Sequence, residues 1–218
     1  ASSGTVPQAA GTGPTEMATE ARKRWDRRDR EGAYAQRVHP SPFHLEGLPR
    51  LGLGPDRKRA LDLACGLGRN SLYLARQGWA VRAVDVSSEA LERLQAKAGR
   101  EELDIDCLVL DLDAAPEDFL AIIPGGPADL ALIFRYANLP LVRAMTMLLA
   151  PGGVLIAEMH RKTDREVAGP SSSRFRVTAD ELLDAAQGLE LLHAEDGHFS
   201  DPDGRPVALA RRVARRPA

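Results

Sequence analysis

The chain reads as an α/β protein: a Rossmann-like, seven-stranded, mostly parallel sheet with helices on both faces and a C-terminal antiparallel hairpin. Three observations lead there. Apolar runs such as ALDLA (60–64), DLALIF (129–134) and VLIAEM (154–159) are too short for buried helices. They suit strands covered on both faces. Amphipathic helical segments separate them, the alternation that builds βαβ units. After residue 188 the pattern changes to two strand-like stretches, 189–199 and 207–213, about the turn Asp201-Pro202-Asp203-Gly204.

Taken in order, residues 1–15 are, but for Val6 and Gln8, Gly, Ala, Thr, Ser and Pro without apolar periodicity, the composition of a disordered tail. Residues 16–37 carry a charge-dense helical pattern. Its basic cluster (Arg22, Lys23, Arg24, Arg27, Arg28) is interleaved with Glu20, Asp26, Asp29 and Glu31, which reads as a solvated face rather than a phosphate-binding one. Trp25 and Tyr34 can pack back on the body. The expected division is therefore a tail (1–15), a helical cap segment (16–50) and one α/β domain (51–218). Pro40-Ser41-Pro42-Phe43 is a stiff connector, and a short helix and Gly/Pro loop lead into strand 1.

The turn Cys65-Gly66-Leu67-Gly68-Arg69-Asn70 follows strand 1. A helix with Leu72, Leu74 and Ala75 inward then ends at Gly78. Strand 2 (79–84) stops at Asp85. Ser87 is placed to cap a helix over 88–98, with Glu89 and Glu92 in its early turns. Strand 3 (104–110) ends in Asp111-Leu112-Asp113, and strand 4 (128–134) in Arg135-Tyr136. Leu139, Val142, Met145 and Leu149 mark the apolar stripe of a helix over 138–149. Pro151-Gly152-Gly153 turns the chain into strand 5 (154–159), which ends at Glu158-Met159-His160. Residues 161–173 read as a mobile polar loop. Thr178 and Glu181 form a capping box for the last helix, and Arg211, Arg212, Arg215 and Arg216 read as protection of a sheet edge.

Composition bounds the function. With 29 basic and 31 acidic residues in 218, no global basic field exists to drive nucleic-acid binding. Cys65 and Cys107, both at strand or strand-end positions, read as small buried hydrophobes in a reducing compartment. No stretch approaches the ~20 apolar residues of a membrane helix, nor is there a signal-peptide apolar core, so a cytoplasmic location is expected.

Strand, glycine turn, helix, strand, acid is the half-unit that holds a nucleotide cofactor, its acid on a ribose. A dinucleotide site wants a third small residue for close helix packing, where this chain has Ser71. It also wants no negative charge beside the pyrophosphate, yet Asp62 precedes the glycines. A carboxylate there suits a ligand with a cationic end, such as the amino group and sulfonium of S-adenosylmethionine.

On LDLACGLGRNSLYLARQGWAVRAVDVS (61–87), PSPFHLEGLP (40–49), IFRYANLPL (133–141) and LLAPGGVLIAEMH (148–160), the chain resembles the class I S-adenosylmethionine-dependent methyltransferases, particularly the tellurite-resistance (TehB-like) group. The resemblance covers roughly residues 24–160 and, in layout only, the terminal hairpin. It implies S-adenosylmethionine as cofactor, with S-adenosylhomocysteine as product. Asp62, Gly66 and Gly68 would surround the methionine end, Asp85 the ribose, and Asp111 with Leu112 the adenine. Ala64, Cys65, Asn70, Val86 and Arg135 complete the candidate cofactor-binding set. The N-terminal segment would cover the cofactor, making Trp25, Tyr34, His39, Phe43 and His44 candidate lid residues.

Arg135, Tyr136 and His160 are the candidate catalytic residues on the acceptor side. Arg135 either holds an anionic acceptor or pairs with a local carboxylate such as Asp129. The Asn/Asp-Pro-Pro-aromatic signature of nucleobase amino methylation is absent after strand 4, so a small-molecule acceptor is expected. Methyl transfer from a sulfonium needs alignment and exclusion of water more than a covalent nucleophile or metal. An NAD(P)-dependent oxidoreductase and a non-catalytic S-adenosylmethionine-binding protein remain the competing readings.

Overall fold

Alternation along the central strands explains why these runs become a sheet. In β1 (Arg59–Leu63), Ala60 and Asp62 point to one face and Leu61 and Leu63 to the other, and all four are buried. The computed structural model describes residues 6, 16–31, 39–48, 51–53, 58–113 and 126–218. In it β1 pairs in parallel with β2 (Ala80–Asp85) and with β4 (Ala128–Phe134). β3 (Ile105–Val109) extends the sheet beyond β2, and β5 (Leu149–His160) lies beside β4. β7 (Pro206–Arg215) runs antiparallel between β5 and β6 (Glu190–Ser200). The order is β3-β2-β1-β4-β5-β7-β6, the seven-stranded layout expected from the sequence.

Helices α3 (Arg69–Arg76) and α4 (Ser88–Arg100) cover one face. Leu74 packs with Ala60, Val81, Leu130 and Leu132, while Leu91 and Leu94 pack with Ala83, Cys107 and Val109. On the other face, α5 (Leu139–Leu148) and α6 (Ala179–Ala185) bring Val142, Met145 and Leu182 against Leu63, Ile133 and Leu155. Caps fall where the sequence places them: Ser87 Oγ accepts from Ala90, and Thr178 with Glu181 closes a full capping box.

Helix α1 (Glu16–Arg30) lies against α4, where Asp26 Oδ1 accepts from Ser87 Oγ and the Glu89 amide. Trp25 is half-buried beneath the guanidinium groups of Arg24 and Arg28. A short helix α2 (Pro42–Gly47) buries Phe43 and His44 over the sheet. Val6 is buried in the α4-side cluster; the rest of the expected tail, and Tyr34, lie outside the described residues. No helix among the described residues is long and apolar enough to cross a membrane.

Two expectations are corrected. The arginines of β7 do not protect an edge, because β7 is an interior strand and β6 is the edge. Arg211 is buried on Glu158 (Nε–Oε2 2.9 Å) and Glu195 (3.0 Å), and Arg212 on Asp196 and the Ala179 carbonyl. Arg215 and Arg216 donate to the carbonyls of Leu51 and of Met147 and Leu149. Period-2 alternation does not reveal which strand of a hairpin turns inward. The loop after β5 is likewise tied down: the Ala168 amide donates to the Pro206 carbonyl and Arg176 to the carbonyls of Pro170 and Arg161.

Glu158 is fully buried and shared by two guanidinium groups, Arg135 and Arg211. Glu158→Ala leaves both charges without their common partner and is expected to cost about 3–5 kcal/mol in urea unfolding. A loss below about 1 kcal/mol would show that the pair is answered by other groups.

Candidate active site

Two neighbouring parallel strands end in the same unusual way. Ala64, just after β1, and Arg135, just after β4, both adopt left-handed backbone (φ 53° and 61°). Non-glycine residues in that region are strained and gather at sites where the chain must turn away from a ligand. Between them the chain leaves β1 for a helix on one face and β4 for a helix on the other, which opens a crevice at their carboxyl ends.

The two glycines of the turn differ. Gly66 (φ 55°) faces open space: a Cβ there meets nothing within 4 Å. At Gly68 (φ 71°) a Cβ would sit 2.4 Å from both Leu94 methyl groups, so this glycine serves the packing of the turn on α4. Asp85, at the end of β2, accepts from the Gly66 amide (2.8 Å) and the Ser87 amide (2.9 Å). It thereby ties the glycine turn to the cap of α4, with half-buried Val86 between.

Asp62 is buried and accepts from Ser71 Oγ at 2.6 Å. Desolvation raises its carboxyl to about 7, against the lowering effects of Ser71 and Arg69. The half-buried Cys65 thiol is pushed well above its usual range by burial and then by the Asp85 and Asp62 charges, so it stays protonated. Asn70 is turned toward the cap segment, its Oδ1 accepting from the Ser41 amide at 2.9 Å.

On the neighbouring side, Asp111 Oδ1 accepts from the Asp113 amide (2.9 Å) and the Leu112 carbonyl accepts from Asn138 Nδ2 (3.1 Å). Tyr136 donates to Asp113 at 2.5 Å, and burial followed by that bond raises its phenol. Tyr136 is therefore held protonated and anchors the segment after β3. Arg135 pairs with Glu158 (Nε–Oε1 2.6 Å) and Asp201 (Nη2–Oδ1 2.9 Å), not with Asp129, which accepts from the Arg59 amide. The His160 ring lies at the end of β5 against Gly169, where a Cβ would be 2.6 Å from its Cε1.

The structure thus brings Asp62, Ala64, Cys65, Gly66, Asp85 and Val86 to one side of the crevice, and Asp111, Leu112, Tyr136 and Arg135 to its neighbouring walls. A cavity of about 430 Å³ beside these strand ends is lined by Asp113, Asn138, Lys162, Arg174, Arg176 and Glu181. A second, of about 300 Å³, opens at the amino ends of the strands, around Arg59, Asp104 and Pro127, away from the glycine turn. Among the described residues no three His, Cys, Asp or Glu side chains converge on a metal position.

Sequence reasoning missed the Asp26–Ser87 contact and the roles of Glu158 and Asp201. A single acid inside VLIAEM was the available signal for Glu158, since an unpaired carboxylate is not tolerated in such a strand. Asp201 looked like turn chemistry alone.

Residues 60–153 match the family described as a methyltransferase domain. The chain is similar to hemagglutinin 1 of Eikenella corrodens (34% identity; 69% of this chain, 51% of that protein). It is also similar to the probable S-adenosyl-L-methionine-dependent methyltransferase TehB of Haemophilus influenzae (26%; 69% and 54%). It spans about half the length of these curated relatives. Among solved structures, TehB from Haemophilus influenzae superposes with a TM-score of 0.65 (23% identity, 79% of this chain and 62% of that one). The [4+2]-cyclase SpnF reaches 0.69 (18%, 97% and 100%). At these identities the two structures attest the fold.

Asp62 makes stability depend on pH. Below 3.8, its ordinary value, the carboxyl is protonated in both folded and unfolded chains. From there to about 7 the folded chain keeps a proton that the unfolded one releases, so stability falls as pH rises and then levels. Asp62→Asn is expected to remove this slope, which spans on the order of 4 kcal/mol. Urea unfolding of both proteins between pH 4 and 8 checks it, and parallel curves would refute it.

Proposed function

We propose that this chain, which belongs to the class I S-adenosylmethionine-dependent methyltransferase family, transfers a methyl group to a small-molecule nucleophile by in-line displacement. The observation that carries this is the open face of Gly66, flanked by the buried Asp62 carboxyl on one side and Asp85 on the other. A space that a single Cβ would enter is what a ligand passing close to the backbone requires.

The residues present fit such a ligand in sign as well as in room. Asp62 is poorly ionised chiefly because it is desolvated, with the Asp85 charge adding to the effect, and a cationic amino group placed next to it supplies the missing partner. When bound, S-adenosylmethionine supplies a methyl carbon already activated by the sulfonium charge. Asp62 and the Gly66 turn would hold its amino-acid end, Asp85 and Val86 the ribose, and Asp111 with Leu112 the adenine. Gly68 and Asn70 keep the turn and the cap segment in place. Ala64, Cys65 and Arg135 line the strand ends between them.

Residues 16–50 are proposed as a cap over this crevice and 51–218 as the catalytic domain. The cap excludes water, which favours charge annihilation between an electron-rich acceptor and a sulfonium. Arg135, Tyr136 and His160 are proposed to shape the acceptor side, Arg135 as a donor and the other two through the segments they anchor.

Asp85→Ala is expected to weaken binding of S-adenosylhomocysteine by about 1.5–3 kcal/mol, the value of hydrogen bonds to a charged group. For the unaltered chain, calorimetry at pH 6 in buffers of different ionisation enthalpy should show proton release, as the arriving cation ionises Asp62. A thermal shift with NADH and none with S-adenosylhomocysteine would overturn the assignment.

A further inference from the structure

Three buried polar groups at the carboxyl ends of β1 and β4 have no hydrogen-bond partner among the described residues. They are Ser41 Oγ, both ring nitrogens of His44, and Arg135 Nη1. Ser41 is 1% exposed and His44 0%. Folded proteins rarely retain such groups unanswered, because each loses its hydration without compensation.

All three border the crevice. The Ser41 amide is held by Asn70, in the first turn of α3 just past the glycines. The His44 ring stands edge-on to Tyr73 of α3 (5.7 Å between centroids) and to Phe134, the last residue of β4 (6.0 Å). Phe134 is followed by Arg135. Packing alone does not call for a histidine here: its neighbour Phe43 fills the other side of α2, over the Arg211 guanidinium.

Their electrostatic character is specific. Burial lowers the His44 ring to about 4, with Arg69 adding to the effect, so the ring is neutral at physiological pH, with one donor and one acceptor nitrogen. The Arg135 charge is answered by Glu158 and Asp201, so Nη1 offers a donor without net positive field. The unfilled positions are thus three donor or hydroxyl groups and one acceptor, set beside aromatic rings, with no excess charge for an anion or a second cation.

We propose that Ser41, His44 and Arg135 Nη1 form the methyl-acceptor subsite, and that it takes a neutral hydroxyl or thiol carried on an aromatic or apolar body. This rests on the reading that the glycine turn holds S-adenosylmethionine. In the step, a lone pair of the acceptor oxygen or sulfur forms the new bond to the methyl carbon. The sulfonium carbon–sulfur bond breaks, and its electron pair stays on sulfur as a neutral thioether. The acceptor's proton, made acidic by the new bond, passes to the free His44 nitrogen and then to water. His44 and Ser41 also orient the lone pair, which is the larger service.

The test uses the full chain labelled with 15N-histidine and loaded with S-adenosylhomocysteine, titrated with phenol, thiophenol, benzoate and benzylamine. Phenol or thiophenol is expected to shift the His44 ring resonances, and benzoate and benzylamine to leave them in place. His44→Phe, which deletes two unanswered polar atoms from an aromatic site, should unfold at the same or a higher temperature and keep its S-adenosylhomocysteine affinity. Its affinity for phenol or thiophenol should fall at least about tenfold, and that of Ser41→Ala about threefold or more. With S-adenosylhomocysteine bound, unmoved His44 resonances, preference for benzoate, or probe affinities unchanged in both variants would overturn the subsite alone. Failure of S-adenosylhomocysteine to bind overturns the underlying reading instead.

Discussion

The constraint behind the whole arrangement is the position of β1, with β2 on one side and β4 on the other. Each following helix must return across its own face of the sheet, because parallel crossovers are right-handed. From β1 the chain therefore goes to α3 on one face, and from β4 to α5 on the other. The two departures pull apart, and the gap they leave lies at the carboxyl ends of β1 and β4, between helices on opposite faces. Ala64 and Arg135 carry the bending strain of those departures. The glycine turn and the arginine after β4 stand on the two sides of that gap.

Two electrostatic devices sit on its walls, and they work in opposite ways. Around Glu158 the charges are satisfied internally: Arg135 and Arg211 share the buried Glu158, Arg135 adds the buried Asp201, and Arg211 adds the partly exposed Glu195. Such a network adds little net stability over apolar packing, but it fixes geometry, since each member has one arrangement in which all are paired. It joins β5, the hairpin and the turn after β4 into one rigid wall. Asp62 is the reverse case, a carboxyl taken out of water with a hydroxyl as its hydrogen-bond partner. A rigid wall and an under-satisfied acid facing the same crevice are what a site needs to prefer one orientation of a dipolar ligand.

Most of the fold was legible because it rests on local signals. Ser87, Thr178 with Glu181, and the short apolar runs of β1 and β4 each act within a few residues, and the structure repeats them. Reading failed where the deciding partner is far along the chain. The arginines of β7 looked like edge charges because nothing local says that β6 lies outside β7; their partners are as much as 164 residues away, as Arg215 and Leu51 show. The candidate site divides in the same way. Gly66, Asp85 and Asp62 form one contiguous unit and could be read as one, whereas Arg135 meets Asp201 across 66 residues and Ser41 meets Asn70 across 29. Long-range pairing is where a single sequence carries least information.

The likeness to a [4+2]-cyclase along nearly the full chain sharpens what the fold can and cannot decide. A sheet of this order supplies the gap, and function is set by the groups placed around it. On the cofactor side those groups are carboxylates, and carboxylates select for ligand charge. On the acceptor side they are a neutral imidazole, a hydroxyl and a guanidinium whose charge is already spent. A methyl acceptor that was itself an anion would meet the carboxylates of Glu158 and Asp201 behind Arg135 and gain little from an arginine committed to both. An acceptor with its own proton meets hydrogen-bonding partners and no opposing field. The asymmetry between a charged cofactor wall and a neutral acceptor wall is therefore the feature that separates this site from a general anion-binding cleft on the same scaffold.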